Sequence, residues 1–314
     1  MHARTLLFGL MFAAGLMLTA PASAQMGGPV SLEYTAYPTS RSQDLPENVE
    51  PAETRVQNIA LSLGVPIQFK SSGTLLFPSF KYNALLLDRR PELDPQLNAL
   101  HNPALQLVVL QKLSESWTGL AIVSGGLASD LKGDLTRDDA VFTGSLIASY
   151  AFSDDFSLGG GVTYDRRTGD LQPLPLVQLN WHLTERLRIS GVVPANVIIV
   201  WRASEPITLG LSGGLQGNRY HLDEETWGID EAEVAYSVIQ AGPTIAYHVN
   251  RLLHLEVTGG WTIRRRAELL LRDETQDVSY LENNAFLSVR LRVGLSGWRS
   301  DKEAMDREAQ APTP

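Results

Sequence analysis

Hydrophobicity in this chain alternates with a period of two. Near the C-terminal end Ala285, Leu287, Val289, Leu291, Val293 and Leu295 share one face, and Asn284, Ser288, Arg290, Arg292 and Ser296 share the other. Leu253, Leu255, Val257, Gly259, Trp261 and Ile263 repeat the pattern opposite His254, Glu256, Thr258, Gly260, Thr262 and Arg264. So do Ile59, Leu61, Leu63, Val65, Ile67 and Phe69. A period of two puts successive side chains on opposite faces of a strand, so these runs are β-strands. No long stretch of helical period follows the first 24 residues.

The punctuation between strands is regular. Five times, two apolar residues bracket three turn residues: Leu113 and Trp117, Phe152 and Phe156, Leu183 and Leu187, Ala203 and Ile207, Val249 and Leu253. Three-residue loops are a standard hairpin connection. An odd loop keeps the flanking residues on one face, so the apolar face carries across the turn. A sixth short turn, Lys70 to Gly73, is one residue longer. Longer polar connections fall near 39–54, 88–103, 128–139, 166–173, 221–232 and 268–283. Short and long connections alternate, with both chain ends on the short-turn side. Val193-Pro194-Ala195-Asn196 is the exception, a short link where a long loop belongs.

Several strands span about 11–15 residues, against about 5–6 in a soluble sheet and about 9–11 for a bilayer crossing. The face opposite the apolar one carries Gln178, Asn180, His182, Arg188 and Arg202, which suits a wet lumen. Trp117, Phe152, Phe156, Trp181 and Trp201 lie at or near the tight turns, where an aromatic girdle would sit. The expected fold is all-β: a single antiparallel transmembrane β-barrel of about 14 strands (12–14). A secreted soluble β protein is the alternative.

The first residues agree with that setting. Arg4, the uncharged run Leu6 to Ala20 and Ala22-Ser23-Ala24 read as a secretory signal cleaved after Ala24. The run is too short for a membrane span. The expected organisation is a signal peptide at 1–24, an N-terminal strand and first loop at 25–54, a barrel body at 55–298 and a polar tail at 299–314. The expected location is the cell outer membrane, with its lipid and the barrel-insertion machinery as partners.

Composition removes other classes. The formal charge is −9, and no basic face advertises nucleic-acid binding. With no Cys there is no disulfide frame, thiolate nucleophile, Cys metal site or lipoprotein anchor.

Leu174 to Leu222 carries a resemblance: Pro175 before a strand ending Trp181-His182, Pro194 after a short apolar strand, and Tyr220 ending a Gly-rich strand. In these features the chain resembles domain of unknown function 6268, loosely over about residues 55–298. That resemblance implies an outer-membrane barrel and no particular activity. The chain departs from many barrels in one respect. Trp298 is followed by the charged tail Arg299 to Pro314, and it falls on the lumen register.

Candidate chemistry is sparse. Gly210-Leu211-Ser212-Gly213-Gly214 matches G-x-S-x-G, but a hydrolase elbow needs its Ser on a strand-to-helix turn, and this Ser lies mid-strand. His248 and His254 become lumen-facing neighbours across the 250–252 turn, with Glu256 one step on. Two imidazoles and a carboxylate can ligate a divalent metal, and two wet lumen histidines equally need no ligand. Asp223 to Glu233 holds six carboxylates without Ca²⁺-loop spacing, and reads as a solvated outer loop. Arg264-Arg265-Arg266 and Arg166-Arg167 sit near outer strand ends, facing lipid phosphates or simply water. No Ser/His/acid set converges by register, so the chain is expected not to be an enzyme, and no cofactor is implied.

The acids concentrate in loops, turns and tail. The inward register of the later strands carries Arg188, Arg202, Arg264, Arg266, Arg290 and Arg292, mainly against Glu256. Rings of Arg favour anions. The expected function is a small passive channel or uptake barrel with weak anion preference, taking small anionic solutes. A structural or assembly barrel whose lumen is closed by inward-folded acids is the alternative, and an outer-membrane enzyme is the third reading.

Overall fold

A computed structural model describes residues 29–43, 53–69, 71–90, 99–165, 173–223, 232–250, 252–271 and 274–294. The expected signal at 1–24, Lys70, Arg166, Arg167, Arg251, most of the acidic 223–233 loop, Trp298 and the tail lie outside the described residues. The strands are β1 (Val30–Gln43), β2 (Glu53–Gly64), β3 (Ile67–Phe69), β4 (Thr74–Arg90), β5 (Ala99–Lys112), β6 (Trp117–Leu127), β7 (Ala140–Ser153) and β8 (Phe156–Asp165). They continue with β9 (Pro173–His182), β10 (Leu187–Val193), β11 (Asn196–Arg202), β12 (Ile207–His221), β13 (Ala232–His248), β14 (Leu253–Leu271), β15 (Glu274–Leu281) and β16 (Ala285–Val293).

All pairings between these strands are antiparallel, and β1 pairs with both β2 and β16. The sheet therefore closes on itself. β3 continues β2 along β4, and β15 continues β16 along β14 and β1, so the wall has 14 staves. β1, the N-terminal strand of the 25–54 segment, is the stave that seals it. Val30 pairs with Val293 beside Leu63, so both ends of the described chain lie on the short-turn side. β15 falls in what the sequence presents as a loop at 268–283. There β14 runs on to Leu271 and folds back through β15, raising the wall.

The period-two faces land as their spacing demands. Leu105, Phe142 and Leu146, more than 60% exposed, point outward with Val123, Trp261 and Ile263. At the short turns Trp117, Tyr150, Phe152, Phe156 and Trp181 form a chain of ring contacts 4.9–5.7 Å apart. Trp201 stands level with them opposite Leu187.

Two irregularities shape the interior. First, β10 and β11 have only seven residues each, joined by Pro194-Ala195. Second, the β6–β7 connection folds inward. Ser129 pairs with His101 of β5 on one side and with His221 of β12 on the other. β5 and β12 stand halfway round the ring from each other. The upper half of β12 is thus drawn across the barrel, with Ala128, Asp138, Ala140 and Val141 behind its Arg219 and His221. Its lumen face joins a core of Tyr37, Val56, Leu85, Leu100, Tyr236 and Phe286, among others. At the long-loop end, strands β1–β5 and β12–β16 therefore enclose a packed apolar core.

Candidate functional site: a divided lumen

The interior falls into three parts. At the short-turn end, alternation on β1, β14 and β16 sets Glu33, Glu256, Arg290 and Arg292 side by side on the inner face, where Glu33, Arg290 and Glu256 pair in register. Arg290 Nε and Nη2 donate to Glu33 Oε2 at 2.9 and 2.6 Å, and its Nη1 donates to Glu256 Oε1 at 2.8 Å. Arg292 Nη2 donates to Glu256 Oε2 at 2.5 Å. Ser288 Oγ donates to Glu33 Oε1 at 2.8 Å, and Thr35 Oγ1 donates to Ser288 Oγ at 3.0 Å. Two carboxylates and two guanidinium groups thus balance one another.

Next to this network lie the two histidines. Gly294 O can only accept, so His254 Nε2 carries a proton and donates to it at 2.7 Å. His248 Nδ1 lies 2.7 Å from His254 Nδ1, and Thr208 Oγ1 lies 3.0 Å from His248 Nε2. One consistent proton arrangement runs from the Thr208 hydroxyl through His248 and His254 to the carbonyl, with both rings neutral. This direction is assigned from the acceptor-only carbonyl. The sequence-expected neighbours do meet, but their ring nitrogens face hydrogen-bond partners and both Glu256 oxygens accept from arginine. Among the described residues no three His, Asp or Glu side chains gather round one point where a metal ion could sit.

The second part is the packed core at the long-loop end. Arg265 is buried within it. It donates from Nε to Tyr236 Oη at 3.3 Å and from Nη1 to Ser40 Oγ, and its guanidinium stands 5.1 Å from the Tyr37 ring centroid. Tyr37 Oη donates to Gln240 Oε1 at 2.7 Å. The sequence alternation assigned Arg264 and Arg266 to the lumen. A bulge between the Ile239 and Gln240 pairings inserts Ile263 and reverses the faces beyond it. Arg264 is exposed, donating to Tyr280 Oη at 3.0 Å, and Arg266 pairs with Glu268 at 2.5 Å. Only Arg265 of the triplet points inward.

The tie across the core is held by Asp139. Its Oδ2 accepts from the Thr136 N–H at 2.7 Å, and its Oδ1 meets His221 Nδ1 at 3.1 Å. Burial acts to raise the Asp139 carboxyl, but the donors from Thr136, Ser129 and His221 outweigh it and hold it below the usual carboxylate range. No local sequence signal marks this contact, because Asp139 and His221 are far apart in the chain.

The third part is the inner face of β6–β9, where small polar side chains stand among the apolar Leu120, Ile122, Ile147 and Leu176. Ser145 Oγ donates to Thr163 Oγ1 at 2.8 Å, and Ser149 Oγ donates to Gln178 Oε1 at 2.7 Å. Ser124, Ser157, Gly159 and Gly161 share that register. On β10 and β11, Arg188 and Arg202 continue the same inner face beside His182 and Thr208. Ser212 lies mid-strand in β12, its Oγ 3.0 Å from Thr244 Oγ1 in a ladder that continues to Thr258 at 2.8 Å. That is wall structure, not a nucleophile elbow.

These features define a class: a closed 14-stave antiparallel β-barrel with an apolar exterior and a lumen partly filled from within. The chain belongs to the family described as Domain of unknown function (DUF6268), whose model matches residues 20–294. A search of the curated proteins finds no match. Among solved structures, the chain is similar to an outer membrane channel from Pseudomonas putida F1 at 16% identity and TM-score 0.40, covering 85% of this chain and 95% of that one. It is similar to the Pseudomonas putida toluene transporter TodX at 10% identity and TM-score 0.36, covering 90% and 94%. It is also similar to the NanC porin at 8% identity and TM-score 0.35, covering 84% and 100%. Likeness at this level carries no substrate or mechanism across.

Proposed function

We propose that this protein is an outer-membrane barrel acting as a narrow passive channel or uptake barrel for small solutes, with a weak preference for anions. The exposed apolar exterior and the aromatic row at the tight turns support the outer membrane, with short turns on the periplasmic side, and the secretory signal expected from the sequence agrees with it. Lipid and the insertion machinery are the partners this placement implies. The observation that carries the channel reading is the set of polar side chains Ser145, Ser149, Thr163 and Gln178 on the inner face of β6–β9, which stands opposite the core-filled half of the barrel. A water-filled path lies along such a face more readily than along the packed one.

The anion preference rests on fewer charges than the sequence offers. Glu33 and Glu256 balance Arg290 and Arg292, and Arg264 and Arg266 point outward. Arg188 and Arg202, with Lys81 on the inner face of β4, are the basic side chains on which the proposed preference is tested. Guanidinium groups keep their charge at any working pH. A second reading, a closed structural or assembly barrel, is favoured by the Ser129 bridge and the core beneath it.

Planar-bilayer recording of the folded barrel separates the two. The channel reading expects small, steady current steps, with a reversal potential in a KCl gradient displaced toward chloride. Arg188→Gln with Arg202→Gln should move that potential toward zero. Folded barrels that pass no current would establish the closed reading instead.

A further inference from the structure

The wall is lowest at the β10–β11 hairpin, where each strand has seven residues. At about 3.3 Å per residue and a tilt of about 40°, such a strand rises about 18 Å, against an apolar band about 25 Å tall. The aromatic row marks the lower limit of that band. Leu187, the first residue of β10, pairs with Trp201, and Ile189 pairs with Trp181. The hairpin tip therefore ends inside the band, several Å short of its upper limit.

Its neighbours continue past it. β9 begins at Pro173, above its last pair with β10 at Val177 and Val193. β12 runs on to His221, above its last pair with β11 at Gly214 and Asn196. Among the described residues no strand fills the space between them. Because the top of β12 is drawn inward to Ser129, the two edges diverge.

The edges are built for standing open. On β9 the His182 N–H donates to Asp155 O at 2.8 Å on the β8 side, so odd-numbered residues aim their amides toward β10. Above the hairpin those positions are Pro175 and Pro173, which have no N–H to leave unpaired. On β12 odd-numbered residues face β11, since the Leu215 N–H donates to Ala195 O at 3.1 Å. Higher on that edge the β6–β7 connection takes over, with the His221 N–H donating to Ala128 O at 2.9 Å. Unpaired backbone facing lipid is costly. Prolines on one edge and a bridging loop on the other reduce that cost where pairing stops.

The gap joins two chemistries. Its outer rim is apolar and exposed, at Val177, Val193 and Val197. Just inside, on the lumen register, stand Gln178, Asn196 and Gln216. Gln216 is exposed although Val238, its cross-strand partner, is buried.

We propose that this gap is a side portal through which a small amphipathic molecule dissolved in the outer leaflet enters the lumen. The portal deepens the channel reading and rests on it: the apolar rim admits the solute from lipid, and the polar side chains Ser145, Ser149 and Gln178 on the inner face of β6–β9 receive its polar end.

The chain has no Cys, so single thiols can be labelled cleanly with bimane in proteoliposomes of brominated phospholipid. Three positions are compared: Gln216→Cys at the portal, Leu211→Cys on the outer face of β12, and Ser124→Cys on the lumen register behind a full-height wall. The expected result is lipid quenching at 216 within about twofold of that at 211, and none at 124. Quenching at 211 but not at 216 would overturn the portal and leave the membrane barrel standing. No quenching at 211 would overturn the membrane reading itself, and the portal with it. Four alternating Thr-Val residues added at the Pro194-Ala195 tip should reduce quenching at 216 to the level at 124. A bromoalkanol loaded into the lipid should quench bimane at 124 with the native hairpin and much less with the lengthened one. Equal quenching with both hairpins would overturn the route.

Discussion

Removing one carboxylate from the short-turn network gives a measurable coupling. Glu256 accepts from Arg290 at 2.8 Å and from Arg292 at 2.5 Å, while Glu33 holds Arg290 through two further bonds. Glu256→Gln therefore leaves Arg290 paired with Glu33 and strips Arg292 of the bond to Glu256. Breaking a fully buried pair from one side costs about 3–5 kcal/mol. These side chains are 18–29% exposed, so water recovers part of that cost. About 1.5–3 kcal/mol is expected for the single change. Arg292→Gln alone should cost less, because Glu256 keeps Arg290. The double change should then cost clearly less than the sum of the two, with a coupling of about 1–2 kcal/mol. Reversible urea unfolding in lipid vesicles, followed by Trp fluorescence, reads all four corners of the cycle. Additivity within about 0.5 kcal/mol would refute the claim that the two side chains form one electrostatic unit.

Thiols at Glu115, Asp154 and Glu185 should be hidden from an impermeant reagent on whole cells, and one at Asp134 in the β6–β7 connection should react readily; equal labelling would reverse the orientation. The Asp139 carboxyl sits below its unfolded value, so its contribution to the tie is present above about pH 4 and is lost as pH falls through the folded value. Asp139→Ala at neutral pH should speed tryptic cutting at Lys132 or Arg137 about tenfold, and unchanged cutting would show that the loop is held otherwise. A Cβ on Gly242 would meet Gly259 O at 2.2 Å and Gly260 Cα at 2.5 Å. Gly242→Val should therefore cost about 1–3 kcal/mol or block folding, and a neutral result in the same unfolding assay would contradict that close approach of β13 and β14.

What was legible in the sequence was whatever repeats locally. The alternation at 253–263 and 285–293 set the strand faces, and the five apolar-bracketed turns set the staves. The anomaly at Val193 to Asn196 was visible too, although its consequence depended on how far β9 and β12 continue beside it. Three things were hidden. One extra residue at Ile263 reversed the faces of Arg264 to Arg266, and no composition signal marks a bulge. Glu33 was missed as a lumen acid because its partners, Arg290 and Glu256, lie at the other end of the chain and meet it only when β1 seals the barrel. The inward fold of the β6–β7 connection depends on pairings among Ser129, His101 and His221 that exist only in three dimensions. At 268–283, Glu, Arg, Asp and Gln gave the look of a solvated loop, whereas the described residues 266–271 and 274–280 pair as strands.

The central claim is that solute passes along the inner face of β6–β9 while the opposite half stays packed. Single-channel recording with a charged methanethiosulfonate reagent tests it most directly, using Ser149→Cys on that face and Leu85→Cys inside the packed half. Current through Ser149→Cys should fall within seconds of reagent addition, and current through Leu85→Cys should not change. Block at Leu85 with none at Ser149, or no current from either folded variant, would contradict the account.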